Sequence, residues 1–114
     1  MDDRASRIGR NEALFRELNE RIESVNRDLA SISDETMHVV CECGNIKCTE
    51  LVVVSMADYE RIRADPALFF VKPGHDLPEV ERVVEETPSY HVVRKVDADA
   101  ARIARETSPR GDGS

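Results

Sequence analysis

The chain has 114 residues, 34% of them charged, and a net charge of −7. That length fits one domain with tails, and 40% hydrophobic content with only 4% aromatics and no Trp allows a small, mainly aliphatic core. Acid outnumbers base in every third of the sequence and no basic run exists, which argues against direct binding to nucleic-acid backbone or anionic membrane.

Residues 1–9 are polar and read as a flexible lead-in, with Ile8 the one candidate anchor. No apolar run approaches the roughly 20 residues that span a bilayer. The opening Met1-Asp2-Asp3-Arg4 lacks the apolar segment of a secretory signal. The expected compartment is the cytoplasm, where thiols stay reduced.

From about Arg10 to Ala30, Phe15, Leu18, Ile22, Val25 and Leu29 recur at steps of three and four, widened by Leu14. This is the pattern of an amphipathic helix. Glu12–Arg16, Glu17–Arg21 and Glu23–Arg27 add acid-before-base pairs at i,i+4. The first expectation is that the apolar stripe covers the helix's own domain. The second is a homodimer through helix 10–30, because the stripe has the a/d spacing of a coiled coil.

Ser31 to Thr36 is a connector. Met37 to Cys43 reads as a strand, and Leu51 to Val54 as a second one paired with it, the cysteine loop forming the hairpin tip. Ser55 with Asp58 opens a short helix that Asp65-Pro66 ends. Ala67 to Val71 reads as a turn and a strand, and Phe69 and Phe70 are expected to be large core pieces. Pro73-Gly74-His75-Asp76 is a turn. Pro78 to Glu86 and Tyr90 to Val96 form a second hairpin around Thr87-Pro88-Ser89. Asp97 caps a last helix over 98–106, and residues 107–114 form a polar tail expected to be disordered. The fold class is α+β: an N-terminal amphipathic helix and a small, mainly antiparallel sheet of four or five strands in one domain, 10–106.

The chemistry concentrates in Cys41-Glu42-Cys43-Gly44-Asn45-Ile46-Lys47-Cys48, which holds all three cysteines. An odd number cannot pair fully within one chain. On a strand, residues i and i+2 share a face, so Cys41 and Cys43 can meet one ion. Gly44 permits a sharp turn, and the loop returns Cys48. A structural zinc site takes four tetrahedral N/S ligands. His75, in a Pro-Gly turn, is the expected fourth, with Asp76 or a backbone carbonyl orienting its ring. His91 lies inside a strand, and His38 has the wrong parity relative to Cys41.

Other readings stand beside this one. Three buried thiols would need a drier setting than Glu42, Asn45 and Lys47 provide. A Cys41–Cys43 redox switch would need lowered thiol pKa values, and Lys47 is the only nearby cation. A zinc-dependent enzyme would need an open coordination position, with Glu42 as the nearest base, and a concave pocket for which the composition gives little sign. A Cys–His protease lacks an orienting third group. Arg110-Gly111-Asp112 spells an adhesion tripeptide that chance explains.

The combination of Asn11-Glu12-Ala13-Leu14-Phe15-Arg16, Cys41-Glu42-Cys43, Cys48-Thr49-Glu50, Tyr59-Glu60, Pro73-Gly74-His75 and Val83-Val84 resembles a group of small uncharacterised bacterial proteins, common in actinobacteria. The resemblance covers about residues 10–108. It implies a bacterial source and supports Cys41, Cys43, Cys48 and His75 as one constellation, and it carries no activity. The expected function is that of a non-enzymatic, zinc-stabilised module that binds another protein or itself. The alternative is a thiol-based redox sensor or zinc-dependent enzyme.

Overall fold

The computed structural model describes residues 3–29 and 36–110. Helix α1 (Asp3–Leu29) leads into a hairpin of β1 (Thr36–Val40) and β2 (Leu51–Ser55). Helix α2 (Met56–Arg63) follows, then β3 (Leu68–Val71), β4 (Glu81–Glu86), β5 (His91–Lys95) and α3 (Ala98–Glu106). The α+β class holds. The strands form two antiparallel sheets rather than one: β1-β2, and a three-stranded sheet in the order β3-β5-β4.

Local chemistry explains most of the elements. In β1 and β2 the β-branched and apolar residues alternate, so Met37, Val39, Val52 and Val54 are buried while His38 and Val53 face out. Ser55 caps α2 by accepting from the Asp58 amide at 3.1 Å, and Asp97 caps α3 by accepting from Asp99 and Ala100, each satisfying amides that have no helical partner. Strand β3 is buried along its whole length. Phe70 stacks on Tyr59 at 5.5 Å and meets Tyr90 edge-on at 5.3 Å. These rings join the inner faces of both sheets into one core with Met37, Val39, Val52, Val54 and Val92.

Helix α1 departs from the expectation in two ways. It begins at Asp3, ahead of Arg10, and Ala5 and Ile8 are buried against Val80 and Ala100. More consequentially, it faces the other way. Leu14, Leu18 and Val25 are 56%, 44% and 56% exposed, while Glu12, Arg16, Asn19 and Glu23 are buried. Phe15 and Ile22 are half-buried at the edge, and the Leu29 and Arg27 side chains lie outside the described residues.

The inversion has a physical reason: Glu12, Arg16 and Asn19 each meet a partner on another element beneath the helix. Lys95 is held between the carboxylates of Glu12 and Glu81. Arg16 donates to the carbonyls of Pro66 and Ala104, both at 2.7 Å, and covers the Phe69 ring at 4.6 Å. Asn19 donates to the Val40 carbonyl and accepts from the Val40 amide, both at 2.8 Å. Buried polar groups are tolerated when partnered in this way. Of the expected i,i+4 pairs, Glu17–Arg21 forms at 3.2 Å, while Glu12 and Arg16 reach other elements instead.

After α3 the chain stays engaged as far as Arg110, whose guanidinium pairs with Glu20 at 2.5 Å and Glu60 at 2.9 Å. Residues 111–114 of the expected tail, and with them most of the tripeptide at 110–112, lie outside the described residues.

Candidate metal centre

Strand β1 ends at Val40, before the cysteines. The chain nevertheless stays extended and changes partners residue by residue. The Cys41 amide donates to the Glu50 carbonyl at 2.9 Å, on the β2 side, and the Glu42 amide donates to the Phe70 carbonyl at 2.7 Å, on β3. The Cys-Glu-Cys run therefore spans the junction of the two sheets. The expected parity survives the shorter strand: Cys41 and Cys43 point to one side and Glu42 to the other.

The second wall comes from the turn after β3. Pro73 and Gly74 occupy its central positions, with Gly74 at φ 90°, and the His75 amide closes it on the Lys72 carbonyl at 2.9 Å. Proline followed by a positive-φ glycine is the arrangement of a type II turn. It aims the His75 ring at the cysteines.

The four expected ligands come together. The ligating atoms of Cys41, Cys43, Cys48 and His75 all lie within 4.8 Å of one another. His75 Nδ1 is 3.5 Å from Cys41 Sγ and 3.7 Å from Cys48 Sγ. Cys41 and Cys43 are buried, Cys48 and His75 half-buried, and no disulfide joins the cysteines. This cluster is compatible with a metal site. His38 is exposed on β1, and His91 lies in β5, 3.7 Å from Glu86; neither reaches the cluster.

The thiols also act on one another. The hydrogen bond from Cys41 brings Cys43 down to about 5, helped by the Asn45 amide and by His75. The same bond, together with burial, pushes Cys41 up, and burial raises Cys48. The Lys72 amide donates to Cys41 Sγ at 3.2 Å, a contact that supports a thiolate.

Gly44 serves a different purpose from the one its type implies. Among the described glycines only Gly74 has positive φ. A Cβ on Gly44 would sit 2.6 Å from Ile8 Cγ2 and 3.0 Å from Leu77 Cδ1. Asn11 of α1 donates to the Gly44 carbonyl at 2.8 Å. The cysteine loop thus packs directly beneath α1, and the glycine is needed for close approach.

Glu42 was legible as a polar residue between cysteines, but its partners were not. Its carboxylate is fully buried, pairs with Arg63, and accepts from Asn19 at 2.7 Å and from the Phe70 amide at 3.0 Å. It fastens α1, α2 and both sheets together immediately behind the cysteines. The alternation that turns Cys41 and Cys43 toward His75 was the available signal, because it turns Glu42 inward. Asp76, expected to orient His75, makes no hydrogen bond to the ring. It lines a cleft of about 570 Å³ beside the site, with Arg4, Arg7, Asn11 and Ile46. Such a cleft was not expected from the composition.

No family model, curated protein or solved structure matches the chain. Among the described residues, no helix is long and apolar enough to cross a membrane.

Proposed function

We propose that the protein is a small zinc-binding module with a structural Cys3His site, acting by binding another protein or a second copy of itself rather than by catalysis. The observation that carries this reading is that all four donor atoms lie within 4.8 Å of one another. An ion about 2.3 Å from sulfur and about 2.0 Å from nitrogen places tetrahedral ligand atoms about 3.5–3.8 Å apart. The His75 Nδ1 distances to Cys41 and Cys48 are 3.5 and 3.7 Å. Three thiolates and one imidazole are the donors zinc favours, and four protein ligands leave no position for a reacting water.

The placement of the donors gives the ion its role. Three come from the loop closing the β1–β2 hairpin and the fourth from the turn after β3. A bound zinc clasps the two sheets where they meet, and the cysteine loop it fixes is the seat of α1. Small domains gain most from such a staple. The cytoplasmic compartment and the bacterial source belong to the same proposal.

The cleft beside Cys43 favours a second reading, a zinc-dependent enzyme or thiol-based redox sensor. Against the enzyme stands Glu42, the candidate base, whose carboxylate is turned away from the cysteines and consumed by Arg63, Asn19 and Phe70.

The test couples metal to folding. Thermal unfolding is measured with zinc and after chelation, on the wild type and on His75→Ala. The structural reading expects chelation to lower the midpoint of the wild type strongly and that of the variant much less. Equal midpoints with and without zinc in the wild type would sink it.

A further inference from the structure

From Glu12 to Val25, helix α1 buries polar residues and exposes Leu14, Leu18 and Val25, the reverse of an ordinary surface helix. Its inner side is fully engaged by the domain, yet Leu14, Leu18 and Val25 remain 56%, 44% and 56% exposed on the outer side. A helix with this character is built as a layer between two bodies. Leu14, Glu17, Leu18 and Arg21 stand at i, i+3, i+4 and i+7. Those are the four corners of a hole that receives a side chain from a facing helix. With Phe15 they wall a shallow groove of about 330 Å³.

We infer that α1 pairs antiparallel with α1 of a second copy of this chain, which rests on, and makes specific, the self-association included in the function proposed above. Charge selects both the occupant and the direction. The hole carries one acid and one base, Glu17 and Arg21, bonded to each other at 3.2 Å with side chains 57% and 77% exposed. A parallel pair in register would set Arg21 against the partner's Arg21. Turning one helix round sets Arg21 against the partner's Glu17, and two-fold symmetry supplies that contact twice. The same register places Leu14 beside the partner's Val25. It also lays Leu18 along the aliphatic stem of the partner's Arg21, which snorkels over the seam. One patch is therefore its own complement, as a symmetric interface requires.

The size of the patch sets the strength. The exposed apolar residues span about 16 Å of a helix about 40 Å long. A single helix face stays below the roughly 800 Å² per partner of a standard interface. An interface of that size belongs to the weak, transient end of specific association.

The experiment is sedimentation equilibrium on the full, zinc-loaded chain from about 5 to 500 μM. The mass should climb from one chain toward two. Leu18→Glu, at an exposed position, should remain one chain throughout with unchanged zinc content and melting temperature. Glu17→Arg and Arg21→Glu should each weaken pairing about tenfold or more, and the double swap Glu17→Arg/Arg21→Glu should recover to within about threefold of wild type. A wild type that stays one chain, or a Leu18→Glu variant that still dimerises, overturns the pairing. A double swap as weak as the singles overturns the antiparallel direction. Zinc measured on the same samples separates the two readings. A zinc-loaded monomer defeats the pairing alone, and a zinc-free dimer defeats the metal reading alone.

Discussion

Replacing Glu42 by Gln removes the charge on which the joint behind the cysteines depends. The wild-type carboxylate neutralises Arg63, and the two side chains are 0% and 1% exposed. It also accepts from Asn19 and from the Phe70 amide. Gln keeps the volume but turns an amide donor toward Arg63 or Asn19, both of which donate. Arg63 is left charged and buried against the Tyr59 and Phe70 rings, at 4.9 and 5.3 Å. Breaking one side of a buried ion pair costs about 3–5 kcal/mol. A chain of this length unfolds with an entropy of about 0.24 kcal/mol/K near its midpoint, so the melting temperature should fall by about 12–20 °C. The assay is a circular-dichroism melt in the presence of zinc, with zinc content checked before and after. Glu42→Gln/Arg63→Met removes both charges and should recover part of the loss, because no uncompensated buried charge remains while the Gln oxygen still accepts from Asn19 or the Phe70 amide. A Glu42→Gln midpoint within about 2 °C of wild type, the range of an ordinary surface substitution, would refute the reasoning.

Three further outcomes follow from the same geometry. Gly44→Ala introduces a Cβ 2.6 Å from Ile8; the melting measurement should show a loss of about 1–3 kcal/mol, and amide exchange should quicken at the start of α1. Glu12 is raised well above the usual carboxylate range, first by burial and further by Glu81, with Lys95 opposing. A raised carboxylate favours the folded state fully below its unfolded pKa of about 4.5 and loses that contribution as pH climbs through the folded value. Glu12→Gln should therefore match wild type near pH 4 and gain on it in urea titrations at successively higher pH, and a constant difference across pH would contradict this. His75→Ala should weaken zinc retention against a competing chelator by about tenfold or more, whereas His38→Ala and His91→Ala leave it unchanged.

The Cys3His cluster was legible because spacing alone constrains it. Two cysteines two residues apart on extended chain share a face, and a Pro-Gly turn leaves few directions for the histidine that follows. The hairpins and the capped helices α2 and α3 were equally local, written in alternation and in Ser55 and Asp97. The facing of α1 was not local. Periodicity shows that Leu14, Leu18 and Val25 lie on one side, but not which side meets the domain. That was settled by Lys95, Val40, Pro66 and Ala104, the partners that satisfy Glu12, Asn19 and Arg16 from far along the chain. The division into two sheets escaped for a related reason: it turns on β3 pairing with β5, far along the chain, rather than with the β1–β2 hairpin, which local alternation does not encode. Gly44 reads in the sequence as a turn residue, but its necessity lies in Ile8 and Leu77 pressing on it, which no turn propensity encodes.

In the proposed function, Cys41, Cys43, Cys48 and His75 hold one zinc as a clasp. Elemental analysis of protein purified without chelator, combined with thiol titration on the same sample, tests it most directly. The expected result is one zinc per chain, with Cys41, Cys43 and Cys48 unreactive until the metal is stripped and all three reactive afterwards. Protein that carries no metal and reacts at all three thiols from the start would contradict it.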